Sequence, residues 1–305
     1  MQIGIVGLGK MGYNLALNLR NNNYEVIAQD IDEASVHKIG EEGGILGAYS
    51  LESLCSKLKG RKVVWLMVPS GEIVDGVIEE LTEYLKPNDI IIDGGNSNFK
   101  DSVRRYNTLK AKQIEFLDCG TSGGTSGALN GACTMIGGNK STFEYVEKVF
   151  KDISIENGYL YTGESGSGHF VKMVHNGIEY GMMQAIAEGF ELFEKSNYDL
   201  DFEAVAKLFN HGSVVRGWLM ELTENAFKKD AKLDAIKGIM HSSGEGKWTL
   251  ETALEMGVAT PVIALSLMMR YRSQQTDTFS GKVVAALRNE FGGHAVEKNE
   301  SVLSE

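Results

Sequence analysis

Lys172, His175, Asn176, Glu179 and Tyr180 stand close together in the run Lys172-Met173-Val174-His175-Asn176-Gly177-Ile178-Glu179-Tyr180. At about 100° per residue, a helix over this run gathers the five into an arc of roughly 140°. Phe170, Val174, Ile178 and Gly181 fall on the other side. One face is apolar, and the other carries a base, an imidazole, an amide, an acid and a phenol. A solvated helix face is the ordinary explanation of such a stripe, but solvated faces are rich in Lys and Glu. This one mixes His, Asn and Tyr and follows Gly163-Glu164-Ser165-Gly166-Ser167-Gly168. Lys172 serves as a base only when neutral; burial and a neighbouring cation, such as His175 one turn away, both lower a lysine pKa. Glu179 lies two turns on, about 10 Å along the axis. That spacing suits two groups addressing different atoms of one substrate, not an ion pair.

A second cluster is Gly7-Leu8-Gly9-Lys10-Met11-Gly12, placed after an apolar strand pattern and opening a helical one. In that context GxGxxG predicts a dinucleotide site rather than a plain Gly-rich turn. Gly7 permits the turn, Gly9 the approach of a pyrophosphate, and Gly12 close packing of helix on strand. Free N–H groups at the helix start hold the phosphate charge. Asp30 closes the second strand and is placed to accept hydrogen bonds from an adenosine ribose. Gln29-Asp30-Ile31-Asp32 offers no Arg to a 2′-phosphate, which favours NAD over NADP. Asp32 reads as the cap of the next helix. Asp93-Gly94-Gly95-Asn96-Ser97 and Asp118-Cys119-Gly120-Thr121-Ser122-Gly123-Gly124 also follow strand patterns, where open α/β sheets bind ligands. Asn96 and Ser122 are therefore expected to face the nicotinamide end, although Gly, Asn and Ser also make plain turns.

The elements that must position these residues follow a two-part pattern. Short Ile- and Val-rich runs at 3–6, 26–28, 63–68, 90–92 and 114–117 alternate with helical stretches at 11–21, 33–42, 71–84 and 99–112. That predicts a parallel, doubly wound Rossmann sheet over residues 1–162. A Gly-, Ser- and Thr-rich loop is expected at 120–131, with weaker strands at 134–136 and 158–161. From 163 to 305 the period is helical, predicting an all-α domain with helices at 170–195, 202–209, 214–227, 249–256 and 261–273. The last eight or so residues are expected to fray.

Composition restricts the function. The chain of 305 residues has 30 basic and 41 acidic side chains, a net charge of −11, which works against nucleic acid and anionic membranes. No apolar run reaches the length of a membrane span, and the start lacks a signal-peptide pattern. Cys55, Cys119 and Cys133 form no CxxC pair, which suits a reducing, cytoplasmic setting. With no base beside it, Cys119 reads as a small buried residue. His and Cys show no metal-ligand spacing, so no metal is expected.

Taken together, Gly-Leu-Gly-Lys-Met-Gly, Asp93-Gly94-Gly95-Asn96, Ser122-Gly123-Gly124 and the Lys172–Tyr180 run resemble the decarboxylating 6-phosphogluconate dehydrogenases of the β-hydroxyacid dehydrogenase superfamily. The resemblance extends through Gly246-Lys247-Trp248-Thr249 to Arg288-Asn289-Glu290-Phe291-Gly292-Gly293-His294, and the length is similar to the short, often NAD-dependent branch. It implies oxidation of 6-phosphogluconate to ribulose 5-phosphate and CO2, with NAD contacted by Gly7, Leu8, Gly9, Lys10, Met11, Gly12, Asp30, Val68 and Asn96. It implies Lys172 as base and Glu179 as the acid that protonates C1. Asn96, Ser122, Gly123, Gly124, His175 and Asn176 would hold the sugar acid, and Tyr180 and Arg270 its phosphate. Arg288 and His294 would reach across from a partner subunit of a homodimer or homotetramer, and the Met- and Gly-rich helix face at 177–193 would pack against the twin. One departure stands out: longer relatives carry a phosphate-contacting Lys and Thr where this chain has Ser243 and Glu245. A non-decarboxylating hydroxyacid dehydrogenase and a non-catalytic NAD-binding sensor are the competing readings.

Overall fold

A computed structural model describes residues 1–297. The first part alternates as expected: β1 (Gln2–Val6), α1 (Lys10–Asn21), β2 (Glu25–Gln29), α2 (Glu33–Gly43), β3 (Leu46–Ala48), α3 (Leu51–Lys57), β4 (Val63–Leu66), α4 (Glu72–Leu81), β5 (Ile90–Asp93), α5 (Phe99–Ala111) and β6 (Glu115–Ser122). There follow α6 (Gly124–Asn130), β7 (Ala132–Gly138), α7 (Lys140–Ile153) and β8 (Ser154–Gly163). The sheet has eight strands in the order β3-β2-β1-β4-β5-β6-β7-β8. The order reverses between β1 and β4, so the crevice beyond their carboxyl ends is the switch point at which such sheets take ligands. Both faces are covered. Ile3, Ile5, Trp65, Ile92 and Phe150 pack on one side, and Val64, Leu66, Ile91, Leu109 and Phe116 on the other, all fully buried.

Several local expectations need correction. The sheet is not wholly parallel, because β7 runs antiparallel to β6. The expected loop at 120–131 holds the short helix α6, entered through Gly123 and Gly124 with φ of 108° and 60°. Sequence reading also omitted β3, α3 and α7; β3 is only three residues long, below the length at which alternation shows. β4 stops at Leu66, so Met67 and Val68 lie in the loop after it.

The helical part comprises α8 (Ser167–Lys195), α9 (Phe202–Asn210), α10 (Trp218–Lys229), α11 (Gly244–Glu255), α12 (Pro261–Ser273) and α13 (Phe279–Gly292). α13 lies beyond the last helix expected, at 261–273; Thr278 caps it by accepting the Gly281 N–H. The expected boundary at 162/163 coincides with the end of β8. By packing, the division differs: residues 1–179 with Gly244–Val258 form one unit, and Tyr180–Ser243 with the chain from Ala259 form another. The first unit thus takes the first half of α8 and all of α11. The second has its own aromatic core, in which Phe190 stacks on Phe227 and both meet Phe202 edge to face, with centroids 5.0–6.1 Å apart. The expected fraying of the last eight residues falls outside the described residues.

Candidate active site

The turn between β1 and α1 has the form that its glycines require. Gly7 has φ 96°. A Cβ on Gly12 would collide with the Gly7 carbonyl, so the helix packs on the turn only as glycine allows. Gly9 is different: nothing lies within 4 Å of where its Cβ would be, and its N-cap position leaves the first N–H groups of α1 open. That open cradle at a helix start fits a pyrophosphate. Leu8, Lys10 and Met11 complete this turn. Asp30 lies just past β2, where its carboxylate accepts the Leu8 N–H and, at 2.8 Å, the Asp32 N–H. It therefore ties the Gly-rich turn to the strand end, a structural role the sequence did not disclose. Asp32 caps α2 as expected. Val68 lies on the adjacent loop, its methyl 3.0 Å from a Cβ built on Gly7.

Asn96 is exposed on a loop that a buried network holds from beneath. Asp93, fully buried, accepts from Ser97 Oγ at 2.7 Å and Arg105 Nη1 at 3.2 Å, and from Gly95 N at 3.2 Å. Arg105 also donates to Asp75 and to the Gly71 carbonyl. A paired, fully hydrogen-bonded buried charge of this kind fixes a loop more firmly than its Gly-rich sequence suggests.

β6 and α8 form the centre of the site, and their contacts follow a simple register. Alternate strand residues share a face, and Asp118, Gly120 and Ser122 meet successive turns of α8. Asp118, fully buried, accepts the N–H of Gly166 at 2.6 Å and of His169 at 2.9 Å, satisfying the helix start. Gly120 lies so close to Lys172 that a Cβ there would overlap the lysine Cβ. Ser122 Oγ lies 3.2 Å from His175 Nε2, and His175 Nδ1 lies 3.0 Å from Asn176 Oδ1. With the Asn176 amide so assigned, Nδ1 carries the hydrogen and Nε2 accepts from the serine. Gly123 and Gly124 follow Ser122 directly. On its other side α8 receives α11: Thr249 Oγ1 lies 2.8 Å from the Met173 carbonyl, and its methyl fills the space a side chain on Gly177 would need.

On the polar face of α8, Lys172 and Tyr180 are buried and His175, Asn176 and Glu179 are partly so. Lys172 is only 7% exposed, whereas Ile178, on the supposed apolar side, is 53% exposed. A purely solvated face would not bury Lys172 and Tyr180. Burial pushes the Lys172 amine below its ordinary pKa, opposed by the nearby charges of Glu179 and Glu245 and by Cys133. Glu179 is half-buried, its Oε2 3.9 Å from His175 Nδ1. Cys119 is fully buried, and burial raises its thiol pKa, as befits an inert packing residue.

Tyr180 and Arg270 come together in the second unit. The Arg270 guanidinium stacks 3.4 Å from the Tyr180 ring centroid and donates to the His241 carbonyl at 3.0 Å. The Tyr180 hydroxyl is buried without a partner among the described residues. Arg288 lies on α13 and His294 just beyond it, both exposed. Sequence reasoning missed the positioning roles of Asp118, Gly120 and Thr249; the two-residue spacing of Asp118, Gly120 and Ser122 is the signal that could have found the first two. Among the described residues no cluster of His, Cys, Asp or Glu could hold a metal, and no helix is long and apolar enough to cross a membrane.

Residues 2–163 match the NAD binding domain of 6-phosphogluconate dehydrogenase, and residues 168–302 match the 6-phosphogluconate dehydrogenase C-terminal domain. YqeC of Bacillus subtilis (strain 168), itself assigned to this family only provisionally, is 58% identical over 98% of this chain and 100% of its own length. An NAD(+)-dependent, decarboxylating 6-phosphogluconate dehydrogenase of Haloferax volcanii is 41% identical over 98% of this chain and 100% of its own. The solved 6-phosphogluconate dehydrogenase of Plasmodium falciparum superposes with a TM-score of 0.83 at 30% identity, covering 98% of this chain and 67% of that one. The chain therefore belongs to the 6-phosphogluconate dehydrogenase family.

Proposed function

We propose that this chain oxidises 6-phospho-D-gluconate and decarboxylates the product to D-ribulose 5-phosphate and CO2, with NAD as the preferred oxidant. The observation that carries the reading is Lys172. It is a buried lysine with a lowered pKa, on the turns of α8 that carry His175 and Asn176 and meet Ser122 at the end of β6. Its amine makes no hydrogen bond to any described residue, so it is free for a ligand.

The nicotinamide cofactor supplies the hydride acceptor when bound, held at the Gly7–Gly12 turn with Asp30, Val68 and Asn96. The chain's own residues manage the protons. Neutral Lys172 takes the proton from the substrate 3-hydroxyl as the hydride leaves C3. The resulting β-keto acid carries its own electron sink, so loss of CO2 needs only an acid at the ketone oxygen, and protonated Lys172 is that acid. Glu179 then protonates C1 of the enediol. Asn96, Ser122, Gly123, Gly124, His175 and Asn176 orient the sugar acid, and Tyr180 with Arg270 receives its phosphate, a group suited to an Arg fork. The preference for NAD rests on Asp30, whose carboxylate repels a 2′-phosphate, and on the NAD(+)-dependent relative.

Assembly into a homo-oligomer is part of this reading. Phe279, Val283, Leu287 and Phe291 recur every fourth residue along α13 and are 80%, 41%, 56% and 77% exposed. Such a stripe suits a second copy of the chain, with Arg288 and His294 reaching the neighbour's site. A cytoplasmic location follows from the reducing setting implied by three free cysteines. The direct test is to follow NADH and CO2 together, with phosphorylated and plain sugar acids and with each nicotinamide cofactor. Oxidation without CO2 would favour a plain hydroxyacid dehydrogenase.

A further inference from the structure

Glu245 is an acid that the reaction as described does not use. It stands in the first turn of α11 and is 4% exposed. Its Oε2 is shielded from solvent and has no hydrogen-bond partner among the described residues. Removing a carboxylate from water without giving it a donor is strongly unfavourable. Buried polar groups are so regularly paired that an orphan asks for a ligand that brings the donor.

The placement of Glu245 is well determined. One turn further along α11, Thr249 is bound to the Met173 carbonyl, and Thr252 Oγ1 lies 3.9 Å from Met173 Sδ. Met173 is the residue after Lys172, so α11 is locked onto the turn of α8 that carries the base. The charge of Glu245 is felt at the Lys172 amine, beside that of Glu179. α11 thus holds the acid close enough to Lys172 for its charge to act on the amine.

We propose that Glu245 is a specificity-determining residue whose free carboxylate oxygen accepts a hydrogen bond from a hydroxyl of the sugar-acid chain. This rests on the substrate assigned above. The chemistry selects a hydroxyl over the phosphate: a phosphate brings only acceptor oxygens and negative charge, whereas a polyol chain brings O–H donors. A carboxylate is the strongest acceptor a side chain offers to such a donor. Glu245 thus reads the hydroxylated chain, and the phosphate is held elsewhere.

The test uses the full chain with saturating NAD, 6-phosphogluconate, and its 2-deoxy, 4-deoxy and 5-deoxy analogues. Wild type should lose about 10- to 100-fold in kcat/KM on one analogue, the range for a hydrogen bond to a charged group. Glu245→Ala should lose a similar factor on 6-phosphogluconate yet lose little more on that analogue. Glu245→Gln, which keeps an acceptor of the same reach, should lose less. Thermal midpoints and NAD affinity close to wild type would show that the variants fold. Equal losses on all four substrates, or no loss, would overturn the assignment, since a filler or a water-binding acid would behave so. Failure of wild type to make NADH from any of them would instead overturn the substrate reading, and Glu245's role with it.

Discussion

The contact between Gly120 and Lys172 offers a demanding test of how the base is placed. A Cβ at residue 120 would overlap the Lys172 Cβ and lie 3.0 Å from both Lys172 Cγ and the Gly168 carbonyl oxygen. Carbon atoms rest comfortably at about 3.5 to 4.0 Å, so Gly120→Ala must drive the Lys172 Cβ away by more than about 1 Å. Overpacking of this kind costs about 1–3 kcal/mol. In a unit of this size that lowers the thermal midpoint by about 2–4 °C per kcal/mol. The effect on turnover should be larger in proportion, because a 1 Å misplacement of a reacting group can cost on the order of 100-fold. Gly127→Ala is the control. Its Cβ would meet nothing nearer than the Ser122 carbonyl at 3.4 Å, and it lies within α6. It should leave kcat unchanged and the fold equal or slightly more stable. Steady-state kinetics and melting curves on the two variants suffice. A folded Gly120→Ala enzyme with kcat within threefold of wild type would refute the idea that β6 sets the position of the amine.

Other consequences follow from the same geometry. Gly9→Ala should fold with an unchanged melting temperature, since its Cβ meets no atom within 4 Å, yet bind cofactor at least tenfold more weakly; unchanged cofactor affinity by titration would remove the pyrophosphate from that turn. Asp30→Asn should weaken NAD binding and narrow its advantage over NADP; if wild type already has the higher kcat/KM with NADP, the role given to Asp30 is wrong. Lys172 accepts a proton only when neutral, so hydride transfer should fail as pH falls through its lowered pKa. In Glu179→Gln one charge that raises that pKa is gone, so the acid limb of the first-turnover NADH burst should move to lower pH; an upward move would contradict the sign. Lys172→Met and Arg288→Ala chains, each inactive alone, should regain activity when refolded together if Arg288 serves the neighbouring site, and verified heterodimers without activity would place it in its own.

Legibility in the sequence followed how local the cause was. The Gly7–Gly12 turn, the Asp32 cap and the long period of α8 are set by neighbours in the chain, and all were readable. The antiparallel β7 was not, because its orientation depends on where α6 returns the chain, and a Gly-rich segment reads equally as loop. α13 was hidden for the opposite reason: within one chain it buries nothing, so no core contact set it apart, although Thr278 marks a helix start.

The face of α8 is the most instructive case. Periodicity located a polar and an apolar side correctly, and ordinary partitioning assigns the apolar side to the interior. Here Lys172 and Tyr180 on the polar side are buried, while Ile178 on the other side is exposed. Burying a lysine is unfavourable unless something is gained from its altered acidity. β6 contributes a glycine where the amine's stem must pass, a serine where the imidazole needs a donor, and an aspartate that anchors the helix start. These three residues make the unfavourable burial possible. Their alternation along one strand ties the sheet's period of two to the helix's turn, and neither pattern discloses that pairing until the two elements lie side by side.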